Sequence, residues 1–358
     1  MGLSRLEINN VRNLHAVSLD LNPIGFNGLY GANASGKTSF LEAIYILGRG
    51  TSFRSKDLSR ALQDKAQQFH ISGRLMPQNV AIGVEYQSQS VQFRIGGQAV
   101  RSRMELASQL PLLFISPESH ALISEGPQKR RRFLDWGVFH VEHRFLSVWR
   151  RYQRALKQRN KSLGKTGIET AWDRELVAAA EQITEFRQDY LSRLEPFIDS
   201  FVQQLVDLGK VTLSFARGWR QDIEYRELLR ASQQQDREYG FTRQGPHRAD
   251  LIFKIGDRSA RDILSRGQQK LFVIALLLAQ VALLNETTYI SPIILIDDLA
   301  AELDTKHRHR LLSVLSGLKA QVILTVTERQ ALSDYKDTPI QWFHVEQGKI
   351  MPILEPEA

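Results

Sequence analysis

The octapeptide Gly31-Ala32-Asn33-Ala34-Ser35-Gly36-Lys37-Thr38 places two glycines, a lysine and a threonine at the spacing G-x-x-x-x-G-K-T. That spacing suits a phosphate chain. The glycines let successive backbone N–H groups curl round a β-phosphate, and the start of a following helix adds its positive end. The lysine ammonium reaches β- and γ-oxygens, and the threonine hydroxyl can ligate Mg²⁺. The context that the pattern demands is present. A short apolar segment ends at Tyr30, and Phe40, Leu41, Ile44 and Leu47 fall on one helical face before Gly48. These residues predict a site for ATP and Mg²⁺, with Lys37 acting on the phosphates.

Ile293-Ile294-Leu295-Ile296 is an apolar run followed by Asp297 and Asp298. A buried strand of this kind delivers its last carboxylates to the sheet edge where phosphates bind. Asp297 is expected to hold Mg²⁺, directly or through water, and Asp298 to face the attacking water. Leu264-Ser265-Arg266-Gly267-Gln268-Gln269 opens an apolar helix that reaches Leu284. Ser265, the Gly267 backbone and Gln268 therefore read as a second anion site at a helix start. An ordinary helix N-cap is the competing reading of the same residues.

The elements that must position these groups are legible from periodicity. Val17, Leu19 and Leu21 alternate with polar residues, the period of a half-buried strand. Val80, Ile82, Val84 and Tyr86 alternate, as do Val91, Phe93 and Ile95, with the polar residues Gln87–Ser90 between the two runs. This predicts an antiparallel hairpin, so the sheets are mixed. Helices are expected over 268–284 and 306–315, strands over 293–296 and 321–326, and a last hairpin turning at Gln347-Gly348-Lys349.

Between them the character changes. From Lys129 to Lys165 twelve Lys and Arg stand against Asp135 and Glu142, whereas Glu169–Asp207 holds nine carboxylates against three Arg. A basic helix, a turn at Leu163–Gly167 and an acidic helix form the pattern of an antiparallel helical hairpin. Its first helix of about 30 residues would reach roughly 45 Å, and Pro196 is expected to kink or break the second. The basic residues either contact nucleic-acid phosphates, with Arg150, Arg151, Arg154 and Lys157 the first candidates, or pair with the acidic return helix and otherwise face water. Residues 1–115 and 240–358 are expected to form one discontinuous α/β domain, interrupted by this arm over 116–239.

Net charge +8 and a pI of 9.6 favour an anionic partner. The absence of cysteine excludes disulfides and thiolate metal sites, and suits a reducing cytoplasm. No basic-then-apolar run at the N-terminus marks a signal peptide. Leu271–Leu284, the most apolar stretch, reads as too short to span a bilayer and better as a core helix, so a soluble cytoplasmic protein without a membrane partner is expected. His140 and His143 could share a helical face, but with Glu142 pointing elsewhere they read as surface residues.

Together, the phosphate loop, Asp297–Asp298 and the Ser265–Gln268 motif some thirty residues earlier resemble the ATP-binding cassette class. Ala301-Glu302-Leu303-Asp304 stands where that class carries its D-loop. The wide gap holding a helical arm resembles the SMC-like branch. Within it, Leu6–Leu14, Pro117-Glu118, Arg130–Asp135 and Gly245–Leu251 are similar to the RecF family of bacterial recombination-repair proteins, over essentially the whole chain. The resemblance implies an α/β fold: an ABC-type (SMC/Rad50-like) P-loop ATPase head with mixed sheets, plus the inserted helical arm. It implies an ATP-dependent head-to-head homodimer, with Lys37 of one copy facing Ser265 and Gly267 of the other. The dimer would clamp DNA near gaps and junctions of single and double strands. A weak DNA-dependent ATPase would act as the release switch.

The resemblance further implies a role in recombinational repair, replication restart and SOS induction. There the protein would help to load recombinase with mediator proteins, RecR among them, on the cytoplasmic nucleoid. Arg12 and Asn13 match the family's strand-turn near the nucleotide. His247, Arg248 and Asp250 match a family motif to which the sequence assigns no role, and Glu118 falls weakly near the place of a missing Q-loop glutamine. Two further departures stand out. Asp298 occupies the place of the usual glutamate, and one methylene less moves its carboxylate by roughly 1 Å, enough to slow water activation. The switch histidine is absent, with Thr325 and Thr327 nearby. A transporter subunit would lack the arm, a Rad50-like cohesion protein would need far longer coiled coils, and a P-loop kinase would leave Ser265–Gln269 without a role.

Overall fold

The computed structural model describes residues 2–163, 169–206, 208–288, 290–299, 303–332, 335 and 338–353. Two compact units emerge, Met1–Ser119 with Leu284–Ala358, and His120–Leu283.

The first unit begins with β1 (Gly2–Val11) and β2 (Leu14–Asp20), paired antiparallel with Ile8 opposite Val17 and Leu6 opposite Leu19. β3 (Gly25–Tyr30) leads into α1 (Lys37–Arg49). β4 (Gln68–Met76), β5 (Val80–Gln87), β6 (Ser90–Ile95) and β7 (Gln98–Val100) then extend the first pair into an antiparallel sheet of order β2-β1-β4-β5-β6-β7. The expected β5–β6 hairpin forms, its turn being Ser88-Gln89 with both φ positive, the geometry that matches strand twist. α2 (Arg103–Gln109) and β8 (Leu112–Ile115) complete this half.

The second unit follows. α3 (Ala121–Ser124) precedes α4 (Pro127–Val141) and α5 (Phe145–Ser162), so the basic stretch is two helices and not the single helix expected. Glu142 breaks it: its backbone is extended, and its carboxylate takes the Arg144 N–H and guanidinium. α6 (Glu169–Leu205) returns antiparallel to α5, with Arg159 meeting Asp173 and Trp149 meeting Arg187. Its 37 residues span roughly 55 Å. Of the kink or break expected at Pro196, the break does not occur, since α6 continues through it. Pro196 and Ser192 are both exposed, so the carbonyl freed four residues back faces water and its hydrogen bond is replaced there. Most of the Leu163–Gly167 turn lies outside the described residues.

β9 (Val211–Ala216), α7 (Tyr225–Ala231), α8 (Gln233–Tyr239), β10 (Asp250–Ile255), β11 (Arg258–Ser259) and α9 (Ala260–Ile263) lead to α10 (Arg266–Thr287). The expected boundary at 239/240 shifts to 283/284 for a physical reason. β10 pairs residue by residue with β9, Leu251 opposite Phe215 and Phe253 opposite Leu213, which binds this stretch to the helical unit. α10 is the core helix expected of the apolar stretch, but shortness is not what marks it as one. It is 22 residues long and apolar enough to cross a membrane. What identifies it as a core helix is burial, with Phe272, Ala275, Leu276 and Leu278 fully enclosed and Gln280 donating to the Phe133 carbonyl.

The chain then returns to the first unit. β12 (Ile293–Ile296), α11 (Thr305–Gly317), β13 (Gln321–Val326), β14 (Ile340–Glu346) and β15 (Lys349–Pro352) build a second sheet of order β15-β14-β3-β13-β12-β8. All of its neighbours are parallel except the β14–β15 edge hairpin. α1 fills the space between the two sheets. Phe40, Leu41, Ile44 and Leu47 pack into one core with Ile8, Ile71 and Val84 of the first sheet and Leu29, Ile293, Leu295 and Ile323 of the second.

Candidate nucleotide site and basic surface

β3 ends at Tyr30 and α1 begins at Lys37, so Gly31–Gly36 is the whole connection and the N-terminus of α1 opens onto it. A Cβ on Gly31 would run into the Val345 carbonyl oxygen, which explains glycine at this close approach. Gly348, at the tip of the β14–β15 hairpin, donates its N–H to the Ser35 carbonyl at 2.8 Å, and its φ of 79° leaves no room for a Cβ beside the Asn13 carbonyl. Asn13 in turn donates from Nδ2 to the Ala34 carbonyl at 3.4 Å. Ala32, Asn33 and Ala34 are exposed on the loop.

Lys37 folds back over the loop, its Nζ donating to the Gly31 and Ala32 carbonyls at 2.6 and 2.9 Å. Burial pushes its pKa down, against the pull of Asp298 and Asp297. A triphosphate would supply the negative charge that this desolvated ammonium lacks.

The two carboxylates stand at the end of β12, as expected. The Thr38 hydroxyl donates to Asp297 Oδ1 at 3.1 Å across a separation of 259 residues. Burial raises the Asp297 pKa, opposed by hydrogen bonds from Thr325 and Thr38. A hydroxyl and a desolvated carboxylate at this spacing are hard oxygen donors of the kind Mg²⁺ takes, so the residues fit that ion. Asp298 has a φ of 51°, and its Oδ1 is buried with no hydrogen-bond partner among the described residues.

Thr325 is the functional residue that spacing underrated. Its hydroxyl donates to Asp297 Oδ1 at 2.9 Å and accepts the Asp298 N–H at 2.8 Å, so one side chain sets both acids. The available signal was its place at the end of β13, the parallel neighbour of β12. Thr325→Val is expected to lower ATP turnover by about 10- to 100-fold, the usual cost of removing a group that orients a ligand, while ATP affinity holds. Turnover at saturating ATP checks this, and an unchanged rate would show the hydroxyl to be dispensable.

Arg12 is placed differently from Asn13. Its guanidinium makes a two-pronged pair with Glu42 of α1, 2.9 Å on each oxygen. Glu42 is fully buried and also receives the Ser52 hydroxyl and Arg54. Arg54 is close enough to Asp297 to lower its pKa, a contribution no motif announced.

In the second unit, Ser265 and Gln268 bond reciprocally, Ser265 N–H to Gln268 Oε1 at 3.0 Å and Gln268 N–H to Ser265 Oγ at 3.3 Å. This is a capping box, so the N-cap reading is realised. The first turn of α10 remains exposed, and no atom lies within 4 Å of a Cβ placed on Gly267. Asp304 caps α11 through the His307 N–H, while residues 300–302 lie outside the described set. Glu118 is exposed on a short 3-10 turn.

The Gly245–Leu251 segment ties the helical unit together. His247 Nδ1 meets the Tyr152 hydroxyl at 2.5 Å, Arg187 donates to the Pro246 carbonyl, and Asp250 is doubly bonded by Arg130. Burial lowers the His247 pKa to about 4, so it is neutral at neutral pH. Arg248 is exposed over the Phe241 ring.

Within the basic stretch some residues pair with acids and others stay exposed. Arg159 is fully buried between Asp173 and Asp236, and Arg151 pairs with Glu175 of the return helix at 2.6 Å. Arg150, Arg154 and Lys157 are exposed with Lys161 at i, i+4, i+7 and i+11, one face of α5. His140 lies edge-on against Trp136 and Phe139, and no cluster of three or more His, Asp or Glu that could hold a metal occurs among the described residues.

The family described as RecF/RecN/SMC N terminal domain matches residues 2–351. The DNA replication and repair protein RecF of Pseudomonas entomophila is 44% identical over 361 residues, covering 98% of each chain. That of Stutzerimonas stutzeri is 44% identical over 368 residues, covering 100% of this chain and 99% of its own. A solved structure of the recombination mediator protein RecF with ATP, in the RecFOR pathway, superposes with a TM-score of 0.86 at 25% identity, covering 99% of this chain and 98% of that one. An Smc head bound to the C-terminal winged helix of ScpA shares the fold, with a TM-score of 0.60 at 15% identity over 99% of this chain and 97% of that one. The fold is therefore an ABC-type ATPase head of the SMC kind with mixed sheets, and the chain belongs to the RecF family of DNA replication and repair proteins.

Proposed function

We propose that this chain is an ATP-gated DNA-binding protein of recombinational repair and replication restart, acting in the cytoplasm on the nucleoid. The observation that carries the reading is the closure of Thr38 on Asp297 at 3.1 Å beside the desolvated Lys37. The loop N–H groups and Lys37 hold the triphosphate. Thr38 and Asp297 would hold Mg²⁺, which would supply positive charge against the negative charge of the phosphates. Asp298, with its buried and unbonded Oδ1, orients water from a carboxylate set back by one methylene, so hydrolysis is slow and serves as a release step.

Ser265, Gly267 and Gln268 at the exposed start of α10 close the ATP of a second copy, making a head-to-head dimer on gapped or junction DNA. Arg150, Arg154 and Lys157 contact its phosphates. RecR is the expected mediator partner in recombinase loading, with SOS induction downstream. The relatives' names as DNA replication and repair proteins, and the ATP in a solved relative, support this reading.

Mass measurement of the full chain with and without ATP, on gapped duplex and without DNA, tests it. A dimer forming with ATP and lasting longest on gapped DNA is expected, and a monomer under every condition would overturn it. Asp298→Asn should bind ATP and remain dimeric on DNA at least about tenfold longer. Release at the unaltered rate would remove Asp298 from the water-orienting role.

A further inference from the structure

We infer that the Tyr239–Arg248 loop is a stacking platform for unpaired bases, a surface specific to single-stranded nucleic acid. The inference rests on the proposed DNA-binding role and assigns it a second, aromatic subsite. Tyr239 and Phe241 are 59% and 39% exposed, while most large apolar side chains of the chain are buried. Their rings lie 6.2 Å apart and tilted by 64°, so each presents a separate face. Arg243 lies 4.6 Å from the Tyr239 ring centroid and Arg248 5.5 Å from that of Phe241. Each ring is thus paired with a guanidinium, the combination that holds a base by stacking and its phosphate by charge.

The platform is held rigid from below. Between the two rings Gly240 turns the chain at a φ of 75°. The next residue but one, Thr242, is buried, its N–H and hydroxyl both bonded to Asn160 Oδ1 at 2.9 and 2.7 Å. Asn160 sits on α5 between Lys157 and Lys161, so the loop is tied to the helix that carries the exposed row Arg150, Arg154, Lys157 and Lys161. A row of phosphate-binding cations leading to aromatic faces is the plan of a single-strand track. Duplex bases have their faces already stacked and could use only the cations. Of the flanking acids, Asp236 is paired with Arg159, whereas Glu238 accepts only from the neutral Gln234 amide and keeps its charge, set against the two guanidiniums of Arg243 and Arg248.

The test uses the full-length protein without nucleotide, a state in which dimerisation is not required. Fluorescence anisotropy would measure binding to an oligothymidylate of about 20 nucleotides and to a duplex of the same length. The Tyr239→Ala/Phe241→Ala double variant should lose about tenfold or more in single-strand affinity, the scale of losing one or two stacked bases. Its duplex affinity should stay within about twofold, and Tyr239→Phe/Phe241→Tyr should retain single-strand binding. Equal losses on both DNAs, no loss on the single strand, or no measurable single-strand binding by the unaltered protein would each overturn the platform. So would unchanged single-strand binding with loss of a protein partner. ATP-driven dimerisation of the double variant without DNA should match the unaltered chain. Failure of dimerisation in both would sink the ATP-gating reading and leave the platform standing.

Discussion

Replacing Lys37 with Met is expected to raise the ATP dissociation constant by about a hundredfold or more and to abolish nucleotide-driven self-association. The ammonium is buried at the centre of the phosphate loop, held by two carbonyls and facing two carboxylates. A bound triphosphate would take over those donors as charge-assisted bonds, each worth about 1.5–3 kcal/mol, and two of them exceed a hundredfold in affinity. Methionine fills the volume without charge, so the loop keeps its glycine geometry and its clamp by Gly348. Lys37→Arg should recover little, because a planar fork cannot point at the loop carbonyls as a compact ammonium does. Titration with a fluorescent ATP analogue gives the affinity, and light scattering gives the mass. A variant that still dimerised normally with ATP would remove Lys37, and the loop with it, from the gate.

The second large effect lies far from ATP in sequence. Arg159→Met should destabilise the His120–Leu283 unit by about 3–5 kcal/mol. Arg159 is fully enclosed, with Nε on Asp173 at 2.9 Å and Nη1 on Asp236 and Thr242 at 2.8 and 2.6 Å. Its loss strands Asp236, itself only 1% exposed, as an uncompensated buried carboxylate. Adding Asp236→Asn should restore part of the stability, since the unpaired charge is what costs most. Arg154→Met, on the exposed face of the same helix, should change stability by no more than about 0.5 kcal/mol. Urea unfolding followed by circular dichroism separates the two. If both variants unfolded alike, the buried cation would not be what holds α5 against α6 and the loop after α8.

That contrast shows what a sequence can carry. Arg159 and Lys157 are two residues apart in one basic run, yet one is a core cation and the other a surface one. Charge counting treats them alike. Only the face of α5 that α6 and the Thr242 loop cover distinguishes them. The pairing of β9 with β10 was undecided for the same reason, because it depends on partners distant along the chain.

By itself the sequence determined whatever is built from neighbouring residues. The phosphate loop and the start of its helix are eight consecutive residues directly after a strand, so spacing encodes their geometry. The apolar run before Asp297 encodes a buried strand, and Ser265 with Gln268 encodes a capping box four residues long. Tertiary structure alone decided how the loop and the strand before Asp297 become one site. It placed Thr38 against Asp297 across 259 residues, made Thr325 the support of both acids, and brought Gly348 down on the loop. A hydrogen bond acts over about 3 Å whatever the separation along the chain, so its partner is set by the order of strands in the sheet and not by any local pattern.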